Sequence, residues 1–148
     1  MATGGQRIEN PLTGERIVFL RTAAETAGEL LEMESTWTRS GLRTPPHVHP
    51  EMEETWEVLS GEARFRIGGE ERVARAGDVV VAPPGTPHAG WNPTEAEVRL
   101  RITMRPALRW EEFVERLFAL AHEGVDPSAL RDLLGEYPRE LALAGADD

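Results

Sequence analysis

A chain of 148 residues is the size of one domain and can bury a proper core without cross-links. The absence of cysteine excludes disulfides, iron–sulfur clusters and thiolate metal sites, and it fits a reducing, cytoplasmic setting. A net charge of −10 argues against nucleic acid or an anionic membrane as partner, and no signal-peptide core or run of about 18 apolar residues appears, so the expectation is a soluble protein.

In chain order, Glu15 to Arg21 predicts a strand buried on both faces, with Ile17 and Phe19 on one and Val18 and Leu20 on the other. Leu31, Met33, Ser35 and Trp37 alternate with polar residues and predict a half-buried strand. Thr55 to Leu59 is rich in strand formers, and Ser60-Gly61 turns it into Ala63 to Ile67. Gly68-Gly69 then closes a hairpin onto Glu71 to Arg75. Asp78 to Ala82 contains a Val-Val-Val run typical of an interior strand, and Val98 to Met104 alternates most clearly of all. Many short strands between Gly and Pro turns predict an all-β, antiparallel double-sheet sandwich or barrel.

After Pro106 the period changes. Trp110, Phe113, Val114, Leu117, Phe118 and Ala121 recur at helical spacing, and Gly124 stops that helix. Asp126-Pro127 supplies an N-cap and a first-turn proline for a second, short helix ending near Gly135. The predicted organisation is a barrel over 1–106, a helical extension packed on it over 107–143, and a tail at 144–148. His122, at the end of the first helix, reads as structural. The only tyrosine, Tyr137, lies late in the chain, which leaves the barrel without a tyrosine acid or base.

Three of the four histidines fall in two short stretches about forty residues apart: His47 and His49 after Pro45-Pro46, and His88 after Pro83-Pro84-Gly85-Thr86-Pro87. On a strand His47 and His49 point to the same side. Three imidazoles with a nearby carboxylate are the donor set of a transition-metal ion. Glu51, Glu53 and Glu54 all lie close to His49, and spacing does not choose among them.

Taken together, the two stretches resemble both motifs of the cupin superfamily. The first runs Gly41, His47-x-His49, Glu54, Gly61; the second runs Gly77, Pro83-x-Gly85, His88, Asn92. The resemblance covers roughly residues 30 to 105 and implies a small single-domain cupin with a jelly-roll β-barrel. It selects Glu54 as the carboxylate, so that His47, His49, Glu54 and His88 hold one divalent metal, and it implies a homodimer. The motif residues Gly61, Gly77, Gly85 and Asn92 are expected in tight turns with positive φ.

Such a donor set suits Fe, Mn, Ni, Co, Cu or Zn and leaves coordination positions open. Inward positions predict a pocket lined by Trp56, Phe65, Trp91, Leu100, Ile102 and Met104, with Val58 and Val98 nearby; Arg43 is placed to orient an anionic or aromatic substrate. The expected function is metal-dependent, dioxygenase-like oxidation of a small organic molecule. The alternatives are a non-redox isomerase, cyclase or hydrolase, or a non-catalytic small-molecule binder.

Overall fold

The computed structural model describes residues 2–144, so all of the expected tail but Ala144 lies outside the described residues. Before the helices stand ten strands: β1 (Arg7–Glu9), β2 (Arg16–Arg21), β3 (Leu31–Trp37), β4 (His47–Val48), β5 (Glu53–Ser60), β6 (Glu62–Ile67), β7 (Glu70–Arg75), β8 (Val79–Ala82), β9 (His88–Trp91) and β10 (Val98–Arg105). The helices α1 (Trp110–His122) and α2 (Pro127–Gly135) follow, and β11 (Ala142–Leu143) closes the described chain. The strands form two antiparallel sheets, one ordered β1-β2-β3-β10-β5-β8 and the other β11-β4-β9-β6-β7. This is a double-sheet jelly roll with helices at the C-terminal end.

The alternation read along β3 and β10 is real. Leu31, Met33 and Ser35 and then Val98, Leu100, Ile102 and Met104 are buried, while their neighbours carry the outer face. Leu100 stands opposite Ser35 on one side and Val58 on the other, and Ile102 opposite Met33 and Trp56, so the inward rows run straight across the sheet. Each large apolar side chain buried there contributes roughly 1.5–3 kcal/mol. The outer face is laced by cross-strand pairs such as Arg99–Glu34 and Arg101–Glu57, exposed pairs that add little individually.

Three local expectations are corrected. The Val-Val-Val run is an edge strand: β8 pairs only with β5, and Val79 and Val81 are 57% and 37% exposed. β2 buries Ile17 and Phe19, but Val18 and Leu20 are only half-buried, because no layer covers that face. Asn92 does not adopt positive φ, unlike Gly61, Gly77 and Gly85. Instead its buried side-chain amide donates to the carbonyls of Trp37 and Ala96 and its oxygen accepts from Thr94, bracketing the chain as it enters β10.

After the barrel strands, α1 buries Phe113, Val114 and Phe118, and Asp126 caps α2 by accepting from the Ser128 amide. His122 donates from Nε2 to the Glu9 carbonyl at 2.9 Å, tying α1 to β1. Tyr137 is fully buried against Phe113, with its hydroxyl donating to Glu112 and accepting from Arg116. Residues 142–143, expected in the helical extension, form β11 and pair with β4.

Candidate metal centre

The four expected ligands converge. Potential donor atoms of His47, His49, Glu54 and His88 all lie within 4.8 Å of one another. Strand pairing explains two of them: His47 on β4 stands directly opposite His88 on β9, and their ring centroids are 4.4 Å apart. His49 lies one residue beyond β4 with its ring centroid 4.9 Å from both others. Glu54 comes from the other sheet, on β5, so the site bridges the two layers. Glu51 lies apart, in an exposed ion pair with Arg139.

The hydrogen bonds decide which way the imidazoles present their lone pairs. His47 Nδ1–H donates to the Pro45 carbonyl at 2.7 Å, and His88 Nδ1–H to the Thr86 carbonyl at 3.0 Å. In each case the intervening residue is a proline, Pro46 or Pro87, whose fixed φ helps to set the carbonyl two residues before the ring. His49 Nδ1–H donates to the Glu140 carbonyl at 2.9 Å. With all three Nδ1 protons directed outward, Nε2 is the nitrogen each ring has left to offer an ion. Glu54 Oε1 lies 2.9 Å from His49 Nε2 and 3.2 Å from His88 Nε2. Acceptors that close repel one another unless a positive charge, a proton or a metal cation, sits among them. Outward Nδ1–H donation to carbonyls is also how metal-bound histidines are held. The residues fit a divalent metal.

The electrostatics agree. Burial and the two neighbouring imidazoles push His47 down to about 4, so it stays neutral. Burial also opposes a charge on His49, but the Glu54 carboxylate outweighs it and holds His49 above the ordinary histidine range. Burial would raise Glu54, yet the two imidazoles beside it hold its carboxyl below the usual carboxylate range.

A cavity of about 330 Å³ opens beside these groups, within the size range of small-molecule sites. Of the expected lining residues, Trp56 and Ile102 are on its wall. Phe65, Trp91, Leu100 and Met104 are not. Phe65 packs behind Trp37 and Trp56, and Trp91 follows Gly90, which does face the cavity, so its ring turns the other way. Arg43 stacks on that ring, 3.9 Å above its centroid, and is likewise off the wall. Leu100 and Met104 are fully buried core residues.

The rest of the wall escaped the sequence reading. Trp37, Met33 and Gly90 come from the barrel; Trp110, Phe113, Leu117 and Phe118 come from α1, and Leu141 and Leu143 from the segment around β11. Trp110 also sets its edge against His49, with centroids 4.7 Å apart. The apolar face of α1 is therefore spent on the cavity. Glu15, also on the wall, was readable: it lies one residue before β2, two positions ahead of the inward Ile17 and in phase with it.

Residues 36–104 match the family described as Cupin domain. Among solved structures the chain is similar to an RmlC-like cupin from Shewanella frigidimarina, at 25% identity and a TM-score of 0.60 over 75% of this chain and 94% of that one. It is also similar to KdgF from a Halomonas species, at 19% identity and a TM-score of 0.59 over 68% and 86% of the two chains. A predicted oxalate decarboxylase from Thermotoga maritima matches at 21% identity and a TM-score of 0.59 over 68% and 90%. No protein of curated function matches the sequence. The matched span contains both histidine stretches, and the double-sheet barrel surrounds them: residues 36–104 of this chain carry a cupin domain.

Proposed function

We propose that this cupin is a metal-dependent enzyme acting on a small, largely apolar organic molecule, with dioxygenase-type oxidation as its chemistry. The observation that carries the reading is the convergence of three imidazoles, each with Nδ1 bound to a backbone carbonyl, and Glu54 beside a mostly apolar cavity. A divalent first-row metal held by His47, His49, Glu54 and His88 would supply Lewis acidity and, for redox-active ions, electron transfer with O₂.

The chain's own residues do the rest. The carbonyls of Pro45, Thr86 and Glu140 keep the Nδ1 protons in place and so hold each ring at a fixed angle. Trp56 against His88 and Trp110 against His49 brace the rings from the apolar side. Indole, phenyl and leucyl walls favour an apolar substrate body and strengthen polar contacts by displacing water. Oxalate, a dianion with no apolar surface, suits these walls poorly, and the Thermotoga neighbour shares the fold alone.

Metal analysis of the purified protein tests the first half: one first-row metal per chain in the wild type and none in His49→Ala is expected, and a metal-free wild type ends the reading. O₂ uptake during turnover of a screened substrate tests the second half. Turnover without O₂ uptake marks isomerisation, cyclisation or hydrolysis instead, and a small molecule retained unchanged marks a binder. The homodimer expected of the family is read as a light-scattering mass twice the 16.4 kDa chain.

A further inference from the structure

Glu15 is a second carboxyl on the cavity wall that the metal centre does not use. Its Oε2 accepts the Ser35 hydroxyl at 2.6 Å and the Trp37 indole N–H at 3.3 Å. No hydrogen bond reaches Oε1 among the described residues. Holding β2 to β3 through Ser35 and Trp37 needs only one of the two oxygens. Glu15 is half-buried on the wall of a mostly apolar cavity, so Oε1 is left to pair with whatever occupies that cavity.

Its place in the sheet sets it apart from the metal ligands. Glu54 stands opposite Met104, which in turn stands opposite Leu31. Ser35, the anchor of Glu15, lies on the same strand as Leu31 but opposite Leu100. Glu15 is thus anchored in a different row of the sheet from Glu54, with Met33 and Ile102 on the wall between those rows.

We propose that Glu15 is the second recognition point of the cavity and binds, through Oε1, a hydroxyl group at one end of a small aromatic or apolar molecule. A hydroxyl both donates and accepts, so it pairs with Oε1 whether the carboxyl is ionised or protonated. An ammonium, which only donates, suits the ionised form and a carbonyl only the protonated one, while a carboxylate is repelled by the ionised form. The indoles of Trp37, Trp56 and Trp110 suit a flat, aromatic body. Burial, opposed in part by the Ser35 and Trp37 hydrogen bonds, raises the Glu15 carboxyl above its ordinary value. The inference rests on reading the cavity as a small-molecule site and does not require the metal.

The test uses two neutral probes, 4-ethylphenol and 4-ethylanisole, which differ by methylation of the hydroxyl. Each is titrated into the full chain, chelator-treated and zinc-loaded, and followed by tryptophan fluorescence and calorimetry. The phenol is expected to bind about tenfold or more tighter than the anisole, as a hydrogen bond to a charged or buried group allows. Glu15→Leu should reduce that preference to less than about threefold. Glu15→Gln, which keeps an acceptor for Ser35 and Trp37, should reduce it too, and it serves if the leucine variant does not fold. Equal affinities in the wild type, no binding of either probe, or an unchanged preference in the folded variants would overturn the inference. Zinc uptake is scored separately, so a phenol preference in a protein that takes no metal refutes only the metal reading.

Discussion

The Nδ1–H of His49 donates to the backbone carbonyl of Glu140 at 2.9 Å, across 91 residues of chain. The C-terminal extension therefore orients one of the four candidate ligands as well as lining the cavity. Its hold is built from β11 pairing on β4, the Glu140 carboxylate accepting the Arg109 amide, and the Arg139–Glu51 pair. Deleting residues 140–148 leaves His49 without its partner, and metal affinity should fall about 10–100-fold, measured by competition with a chromophoric chelator. Arg139→Ala, which removes only an exposed ion pair, should leave affinity nearly unchanged. Full affinity in the truncated chain would show that the Glu140 carbonyl does not orient the ligand.

Metal binding should weaken as the pH falls, because the donors bind metal only when unprotonated. His47, pushed down to about 4 by burial and its two imidazole neighbours, offers no competing proton near neutrality. Although burial opposes its charge, His49 is held above the ordinary histidine value by Glu54, so a metal must displace its proton. The decline should therefore begin above about pH 6.5, the ordinary value for histidine. An affinity that is flat from about pH 8 to about pH 6 contradicts the assignment of His49 as a ligand.

Glu15 should make stability depend on pH in the opposite sense to most acids. Burial raises its carboxyl, the hydrogen bonds from Ser35 and Trp37 pull it part of the way back, and the charge of Glu54 adds to the rise. A raised folded-state value means that the folded chain holds this proton more tightly than the unfolded chain. Its stabilising contribution is present below the unfolded value and is lost as the pH rises through the folded one. Glu15→Gln removes that ionisation. Its melting temperature should match the wild type near about pH 4 and exceed it near about pH 8; a variant that melts lower at the higher pH contradicts this.

Gly61 and Gly77 separate two costs. Both hold positive φ, at 85° and 94°, so alanine costs about 1–2 kcal/mol of conformational strain at either position. Only at Gly61 does an added Cβ also meet the chain, 2.7 Å from the Glu97 carbonyl oxygen and 3.2 Å from Val98. Gly61→Ala should lose about 1–3 kcal/mol more than Gly77→Ala in denaturant titrations. Equal losses would mean that the β5–β6 turn moves freely away from Glu97.

The barrel was legible wherever a strand was long enough to alternate and one face met water, as in β3 and β10. β4, β9 and β11, of two, four and two residues, are too short to show a period, although β4 and β9 carry two of the ligands. β8 was misplaced because three successive valines look alike in a buried strand and at an edge. The ligand positions stood out through rare residues at motif spacing. The cavity wall did not, since the amphipathic pattern of α1 shows that one face is buried and not what it covers. A local pattern has no means of announcing that Glu140 reaches His49.

The two proline–histidine pairs, Pro46-His47 and Pro87-His88, carry their imidazole orientation within three residues each. The third imidazole takes its orientation from a distant part of the chain. The bonds that aim His47 and His88 need no distant residue, whereas the bond that aims His49 is lost whenever the extension undocks. On the proposed metal reading, tight metal retention would report that the C-terminal extension has docked onto the barrel.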